Sequence, residues 1–261
     1  MNIASTLAAM SLEQKATLVS GQGFWHTKAF PELDIPSVML TDGPHGLRKQ
    51  PGDGAQVDFS GPVRTTAFPT ASLAACSFDP ALIEEMGKAL GRECRAEQVG
   101  MLLGPGANIK RSPLCGRNFE YFSEDPLLSS CLATAWIKGV QSTGVGASLK
   151  HFAVNNQETR RMTVDAVVDP RALREIYLAS FEAVVREGRP ASVMCAYNRL
   201  NGSYCSENPF LLNQVLREEW GFDGLVVSDW GAVNDRVTGL QAGLDLEMPQ
   251  NLAGSTEAII Q

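Results

Sequence analysis

The stretch Gly221-Phe-Asp-Gly-Leu-Val-Val-Ser-Asp-Trp230 shows the pattern that organises this 261-residue chain. Its short apolar run, Leu225–Val227, ends at once in Ser228 and Asp229. Because every position of the run is apolar, the run predicts a strand covered on both faces, as in a parallel sheet. An ionisable side chain directly after such a strand would lie at the edge where the carboxyl ends of parallel strands meet.

The same succession of an apolar run and polar residues recurs along the chain. Further strands are predicted at 37–40, 101–103, 147–149 and 192–195, and weaker ones at 66–68 and 244–248. The residues that follow these strands include Asp42, Asn108, Lys150, His151 and Tyr197. Polar groups are therefore expected to gather at one edge of the sheet.

Helix starts separate these strands. In Asp79-Pro80, Asp125-Pro126, Asp169-Pro170 and Asn208-Pro209, a capping side chain precedes a proline. Proline suits the first helical position because its missing N–H would have no partner there. Apolar residues at helical spacing follow each start, as expected for helices that bury one face.

Alternating strands and helices predict an α/β fold made of repeated βα units. The ring of polar strand ends favours a TIM-type (β/α)8-like barrel, which we expect to be incomplete at its C-terminal end. An open doubly wound sheet is the alternative, but its strand ends would form a crevice at one switch point. Neither GxGxxG nor GxxxxGK[ST] occurs in the appropriate place, so nucleotide binding has no local support.

Composition excludes several classes of protein. The formal net charge of −7 argues against nucleic acid as a partner, and no apolar segment is long enough to span a membrane. Residues 1–15 lack the features of a secretory signal, and the six cysteines form no CxxC pair. We therefore expect reduced thiols and a cytoplasmic location, with a secreted mature form left open.

Each candidate for chemistry also has a structural interpretation. Asp229 could bond only to nearby backbone N–H groups, and Asp42 could be only a turn residue. Lys150 and His151 could form a buried ion pair, or Lys150 could form a Schiff base as in an aldolase. Arg117 could be a solvated surface group. Without HExxH or a Cys/His cluster at metal spacing, no metal and no cofactor are expected.

Seven stretches together resemble glycoside hydrolase family 3, in that family's order and over nearly the whole chain. They are Thr41-Asp-Gly-Pro-His-Gly-Leu-Arg48, Thr66-Ala-Phe-Pro-Thr70, Gly104-Pro-Gly-Ala-Asn108, Arg111-Ser-Pro-Leu-Cys-Gly-Arg-Asn-Phe-Glu120, Lys150-His-Phe152, Met194-Cys-Ala-Tyr-Asn198 and Gly221-Phe-Asp-Gly-Leu-Val-Val-Ser-Asp-Trp230. The resemblance implies that residues 1–261 form the family's N-terminal catalytic barrel, truncated and without the C-terminal α/β sandwich domain.

The resemblance also implies roles for individual residues. Asp229 matches the nucleophile, and Trp230 flanks it. The residues that match the subsite for the cleaved sugar are Asp42, Arg117, Lys150, His151, Arg161, Met194 and Tyr197. Arg160 adjoins Arg161 and could take its place.

The implied activity is that of a retaining exo-β-glycosidase that removes terminal β-D-glucosyl residues through a covalent glycosyl-aspartate. Such a mechanism needs a second carboxyl group about 5–5.5 Å from the first. Arg and Lys near Asp229 are expected to keep it ionised, and Tyr197 is expected to donate a hydrogen bond to it. The acid/base glutamate is implied to come from a segment after Gln261, so this chain alone is expected to be poorly active.

Other interpretations stay open at this point. One is a sugar-binding or scaffold fragment without activity, and another is a β-xylosidase or α-L-arabinofuranosidase. A branch that cleaves N-acetylglucosaminides fits poorly, because Ala153 follows Lys150-His-Phe152 where that branch has Pro-Gly. The expected partner is a β-glucoside or related oligosaccharide, and exposed barrel surface would favour a homo-oligomer.

Overall fold

The computed structural model describes residues 2–50, 63–250 and 256–261. Its centre is a sheet of five parallel strands with helices packed against it. The strands of the chain are β1 Gly21–Gln22, β2 His26–Thr27, β3 Leu40–Asp42, β4 Met101–Leu103, β5 Gly146–Phe152, β6 Asp165–Ala166, β7 Ser192–Cys195, β8 Arg199–Leu200, β9 Ser203–Tyr204 and β10 Leu225–Val227.

Helices alternate with these strands. The α-helices are α1 Ile3–Ala9, α2 Leu12–Leu18, α3 Ala71–Ala75, α4 Pro80–Ala96, α5 Pro126–Gln141, α6 Pro170–Ala172, α7 Ala179–Gly188, α8 Arg236–Ala242 and α9 Thr256–Ile260. Two π-helical segments, Leu173–Tyr177 and Phe210–Glu219, and three 3-10 segments, Pro31–Leu33, Asn118–Glu120 and Cys205–Glu207, complete the set.

The strand order identifies the architecture. The parallel strands lie side by side as β3, β4, β5, β7 and β10, which is also their order in the chain. A doubly wound sheet reverses direction at a switch point, so that alternative is wrong. The α/β fold predicted from the sequence is confirmed.

Short bridges continue the sheet from its two outer strands. Leu246 pairs in parallel with Val227 of β10, and Glu247 pairs in parallel with Ser20. The antiparallel pair β1–β2 follows Ser20, and His26 of β2 bridges to Met39 just before β3. The pairings thus follow one another around a ring, as in a barrel.

The predicted strands are confirmed with some changes. Strands β4, β7 and β10 have the predicted bounds, while β5 is longer at both ends. Strand β3 begins at Leu40, so the segment 37–40 was placed too early. The segment 244–248 contributes only bridges, and 66–68 is not a strand, because its backbone pairs instead with turn and helix groups such as the His45 carbonyl and the Glu93 carboxylate.

The predicted helix caps form as the sequence indicates. Asp79 accepts hydrogen bonds from the Ala81 and Leu82 N–H groups at 2.9 and 3.2 Å. Asp169 accepts in the same way from the Arg171 and Ala172 N–H groups, while Asp125 accepts from Leu127 N–H and Asn208 from Leu211 N–H. These caps satisfy backbone donors that have no partner within the helix.

Two apolar clusters hold the sheet in place. The larger one lies between the strands and the helices and includes Trp136, Phe152 and Phe181. The smaller one is built from residues of the parallel strands together with Leu246, which bridges to β10, and Met248, and it therefore fills the inside of the ring. It comprises Leu40, Leu103, Met194, Val227, Leu246 and Met248. Its position directly beneath the strand ends provides a rigid floor for the polar groups above it.

Candidate active site

A single pocket of about 680 Å³ lies at the carboxyl ends of the parallel strands. Each of β3, β5, β7 and β10 contributes residues from its end or from the loop that follows. All nine residues singled out from the sequence line this pocket: Asp42, Arg117, Lys150, His151, Arg161, Met194, Tyr197, Asp229 and Trp230. The strand-end pattern and the family resemblance thus selected residues that the fold brings together in one pocket.

Asp229 occupies the buried floor of the pocket behind β10. Its Oδ1 accepts a hydrogen bond from the Trp230 N–H at 2.8 Å, while its Oδ2 has no hydrogen-bond partner among the described residues. Burial raises the pKa of the carboxyl group, and the charges of Lys150 and Arg117 only oppose that effect. Both cations therefore favour the ionised form of Asp229, in the direction expected from the sequence, while desolvation is the larger influence on its pKa.

Asp42 and Lys150 form an ion pair across the pocket wall. The Lys150 Nζ donates to Asp42 Oδ1 at 2.8 Å and lies 3.9 Å from Glu120 Oε2. Burial disfavours the Asp42 carboxylate, but Lys150, the Gly43 N–H and Arg48 outweigh it and lower the pKa of Asp42. A Schiff base needs a free amine, so an ammonium group engaged by two carboxylates argues against an aldolase-like role.

The loop after β3 turns sharply enough to place Asp42 at the pocket. Gly43 has a φ of +127°, and a side chain there would collide with the Gly46 carbonyl oxygen. Only glycine adopts that conformation without strain. The structural and functional interpretations of Asp42 therefore both hold. The residue belongs to the turn Thr41-Asp-Gly-Pro-His-Gly46, and that turn places its side chain in the pocket.

His151 is held between Arg117 and Tyr121. Its Nε2 lies 2.8 Å from Arg117 Nη2, and its Nδ1 lies 3.0 Å from the Tyr121 hydroxyl. Burial, followed by the charges of Arg117 and Lys150, holds the pKa of His151 well below its usual range. Because a guanidinium only donates, Nε2 accepts, and the proton of the neutral ring is on Nδ1.

Arg161 and Tyr197 form the opposite side of the pocket. The Arg161 guanidinium stacks on the Tyr197 ring at 4.6 Å and pairs with Glu158 at 3.1 Å. Arg160 is not among the residues that line the pocket, so Arg161 is the better candidate of the two. The Tyr197 hydroxyl donates to the Trp230 carbonyl at 3.0 Å. It also forms the expected hydrogen bond to the Asp229 carboxylate, which lowers the pKa of Asp229 and raises that of Tyr197.

Sequence reasoning missed several residues of the pocket. Trp25 packs on Trp230 with ring centroids 5.3 Å apart, and Phe24 accepts a hydrogen bond from the Trp230 indole at 2.8 Å through its carbonyl. Glu120 is buried beside Arg117 and Lys150. The only sequence signal for Glu120 was its place in the Arg111–Glu120 motif stretch, and Trp25 had none.

Other kinds of site are not evident. Across residues 2–50, 63–250 and 256–261, no group of three or more His, Cys, Asp or Glu side chains is arranged to hold a metal ion. No helix in the described ranges is both long and apolar enough to cross a bilayer. The six cysteines, all described, are free thiols.

The strand ring and its contents define a class of protein: an α/β barrel domain with a carboxylate-centred polar pocket at the carboxyl ends of its strands. The chain belongs to glycosyl hydrolase family 3, because the family's N-terminal domain matches residues 27–259. The resemblance seen in the sequence is thereby confirmed.

Individual relatives agree with this assignment. The chain is 64% identical over 261 residues to thermostable beta-glucosidase B of Acetivibrio thermocellus, covering 100% of this chain and 35% of that protein. It is 54% identical to an exo-alpha-(1->6)-L-arabinopyranosidase of Bifidobacterium longum, covering 92% and 32%. Among solved structures, a beta-glucosidase of Kluyveromyces marxianus in complex with glucose has a TM-score of 0.94 at 38% identity, covering 100% and 30%. The chain thus spans about a third of the length of these relatives.

Proposed function

We propose that this domain binds a terminal β-D-glucosyl residue and forms a covalent glycosyl intermediate on Asp229. The observation that carries the proposal is the environment of Asp229, a buried carboxylate with one unpartnered oxygen on the floor of a pocket lined by charged groups. An unpartnered buried polar atom needs an explanation, and perturbed pKa values cluster at functional sites.

The arrangement provides separate groups for the two tasks of binding and attack. Asp42, Lys150 and Arg117 present charged donors and acceptors that would hold sugar hydroxyls through charge-assisted hydrogen bonds. Trp230 and Trp25 present aromatic faces for the apolar side of a sugar ring. Among the carboxylates that line the pocket, Asp229 is the one without a Lys or Arg of the described ranges within 4 Å, and the His151 ring that lies 3.7 Å from its Oδ2 is neutral. Asp229 is therefore the carboxylate best suited to attack an anomeric carbon.

Retaining hydrolysis also requires an acid that protonates the leaving group. Of the other carboxylates that line the pocket, Asp42 has, despite its burial, its pKa lowered by Lys150, and Glu120 is buried with one oxygen on Arg117 and the other 3.9 Å from Lys150 Nζ, so that neither faces a leaving group freely. Neither is suited to be a proton donor. We therefore place the acid/base glutamate in a segment outside the described residues, and we expect slow turnover of unactivated disaccharides by residues 1–261.

A trapping experiment tests the proposal on this chain. In 2-deoxy-2-fluoro-β-D-glucosyl fluoride the leaving fluoride needs no protonation, so an adduct can form without the acid/base group. Intact mass and peptide mapping should show one adduct on Asp229, absent in Asp229→Asn and retained in Asp223→Asn, an exposed carboxylate at the other end of β10. A folded wild-type protein that binds glucose without an adduct would favour a non-catalytic sugar-binding domain instead.

A second candidate substrate is a terminal α-L-arabinopyranoside, favoured by the similarity to the Bifidobacterium longum enzyme. That sugar lacks the hydroxymethyl group of glucose, and its C4 hydroxyl has the opposite configuration. Release of 4-nitrophenol from the two 4-nitrophenyl glycosides would separate the candidates. Faster release from the arabinopyranoside would replace glucose as the proposed sugar and leave Asp229 as the proposed nucleophile.

A further inference from the structure

One buried carboxylate lies at the centre of the pocket's charged groups and has no role in the mechanism above. Glu120 has a side chain only 6% exposed and sits in the 3-10 segment Asn118–Glu120. Its Oε1 accepts from Arg117 Nε, and its Oε2 faces Lys150 Nζ at 3.9 Å. A charge buried this deeply is normally costly, so its retention needs a compensating function or contact.

The two cations beside Glu120 each contact a second residue of the pocket. Lys150 donates a 2.8 Å hydrogen bond to Asp42, and Arg117 Nη2 lies 2.8 Å from His151 Nε2. Arg117 therefore uses its Nε–H for Glu120 and its Nη2 for His151. A guanidinium is a planar group with fixed donor directions, so fixing Nε also fixes the direction in which Nη2 points.

The direction of Nη2 determines the protonation pattern of His151. While Arg117 donates to Nε2, the ring proton is on Nδ1, opposite the Tyr121 hydroxyl, which also accepts from Asn155 at 3.0 Å. Nε2 is the ring nitrogen nearest to Asp229, at 3.7 Å from Oδ2. An Nε2 without a proton cannot donate to the Asp229 carboxylate, which leaves that oxygen unpartnered.

We propose that Glu120 is a positioning residue that orients Arg117 and thereby holds His151 in the Nδ1–H tautomer beside Asp229. The value of this arrangement for sugar attack rests on the function proposed above, but the arrangement itself is a property of the free protein. Glu120 would not touch the reacting atoms. Its effect would reach them through Arg117 and His151.

Nitrogen NMR of the free protein tests the positioning directly. The chain has only three histidines, so ¹⁵N labelling of the imidazole rings gives few signals, and His26→Gln and His45→Gln would assign them. In the wild type, His151 should show the Nδ1–H tautomer across neutral pH. In Glu120→Gln, which keeps the size of the side chain but removes its charge, the Nε2–H tautomer should become populated.

Two further variants complete the design. Glu219→Gln breaks the Arg174–Glu219 ion pair on the outer helices and should leave the His151 signals unchanged. If Glu120→Gln fails to fold, Glu120→Asp keeps the charge but withdraws it from Arg117 and should shift the His151 signals in the same direction. The proposal would be overturned if His151 were in the Nε2–H tautomer in the wild type. It would also be overturned if the His151 signals of both Glu120 variants matched those of the wild type.

Trapping by the fluorosugar separates this inference from the proposed function. If Asp229 is labelled in the wild type, Glu120→Gln should lower the second-order labelling rate by about tenfold or more, mainly through the rate of the covalent step, since misorientation affects the attack. If the wild type is not labelled while the tautomer still depends on Glu120, the proposed function fails and the positioning role stands. If Glu120→Gln has an altered His151 tautomer but is labelled at the wild-type rate, the tautomer does not affect attack by Asp229. That result would refute the inference that Glu120 assists catalysis.

Discussion

The Nε2 atom of His151 lies 3.7 Å from Oδ2 of Asp229, and the pKa values of the two groups are shifted in opposite directions by the same cause. Burial lowers the pKa of the imidazole and raises that of the carboxyl group. In both cases burial favours the uncharged form. The pair is therefore not a salt bridge. It consists of a neutral imidazole ring beside a carboxyl group whose pKa is raised.

The pH dependence of labelling should reflect the raised pKa of Asp229. Only the ionised carboxylate attacks the fluorosugar, so the labelling rate should fall as the pH drops through the folded-state pKa of Asp229. The acid limb should therefore lie above 3.8, the ordinary value for aspartate. Labelling rates between pH 3 and 8 on protein shown to be folded at each pH would measure it, and a limb at or below 3.8 would contradict the prediction.

Asp229→Asn should stabilise the fold at neutral pH while abolishing labelling. Because the folded pKa is raised, the folded state binds the proton more tightly than the unfolded chain does. Ionised Asp229 thus lowers the free energy of unfolding above its folded pKa, and this penalty vanishes as the pH falls below the unfolded value. We expect a gain of about 0.5–2 kcal/mol at pH 7, typical of a strained active-site group. Urea denaturation at pH 7 and pH 4 should show the gain shrinking at the lower pH.

Removing either member of the Asp42–Lys150 pair should have different consequences. Lys150 is 4% exposed, so Lys150→Met leaves the 6% exposed Glu120 without one of its cations and should cost about 3–5 kcal/mol of unfolding free energy. The side chain of Asp42 is 33% exposed, but its lowered pKa means that the ionised group stabilises the fold at neutral pH, so Asp42→Asn should cost some unfolding free energy, though less than Lys150→Met. Asp42→Asn should also lower the free energy of glucose binding by about 1.5–3 kcal/mol, the typical contribution of a hydrogen bond to a charged group. Urea denaturation would measure the stability of both variants, and calorimetry would measure their affinity for glucose. Equal losses of stability in the two variants would contradict the prediction.

Trp25→Ala should weaken sugar binding, and we expect the loss to be larger for an aryl leaving group that can stack on the indole. Trp25 lies on the pocket wall and packs on Trp230, with Phe24 at 4.8 Å in an edge-on arrangement. Loss of the indole should cost about 0.5–3 kcal/mol of stability and should reduce affinity for 4-nitrophenyl β-glucoside more than for methyl β-glucoside. Trp25→Phe should give intermediate values. Equal losses for the two glucosides would place Trp25 outside the region that contacts the leaving group.

The residues that the sequence located share a local cause. Asp42, Lys150 and Asp229 each follow an apolar run, and parallel strands bring the ends of such runs to one edge whatever the intervening helices do. The fold class and these strand-end members of the pocket could therefore be inferred before the structure. Three residues that were assigned only through the family resemblance also line the pocket: Met194, Arg117 and Arg161.

The residues that the sequence did not locate depend on contacts between distant segments. Trp25 reaches the pocket through the two-residue strands β1 and β2, which are too short to show any periodicity. The hydrogen bond that Tyr197 donates to the Trp230 carbonyl joins residues 33 positions apart. The raised pKa of Asp229 follows from its burial, and burial at a strand end is a property of the whole ring. None of these features has a local sequence pattern.

The crossing of α4 and α5 gives a prediction about stability alone. Gly87 and Gly139 lie where the two helices touch, and a Cβ on Gly87 would come within 2.5 Å of the Trp136 carbonyl oxygen. A Cβ on Gly139 would overlap the Glu84 carbonyl oxygen. Helix propensity favours alanine over glycine by about 1 kcal/mol, but backbone atoms cannot move aside as flexible side chains can. Gly139→Ala should therefore cost about 1–3 kcal/mol net.

Gly188 at the end of α7 provides the matched control for that variant. It is also helical and buried, but a Cβ there would meet its neighbours at 3.5 Å, an ordinary contact distance. Gly188→Ala should therefore be neutral or stabilising by up to about 1 kcal/mol through propensity alone. Urea denaturation of the two variants should give opposite signs relative to the wild type. If Gly139→Ala were as stable as Gly188→Ala, the two helices could move apart at little cost in free energy. Close backbone packing would then not determine the distance between α4 and α5.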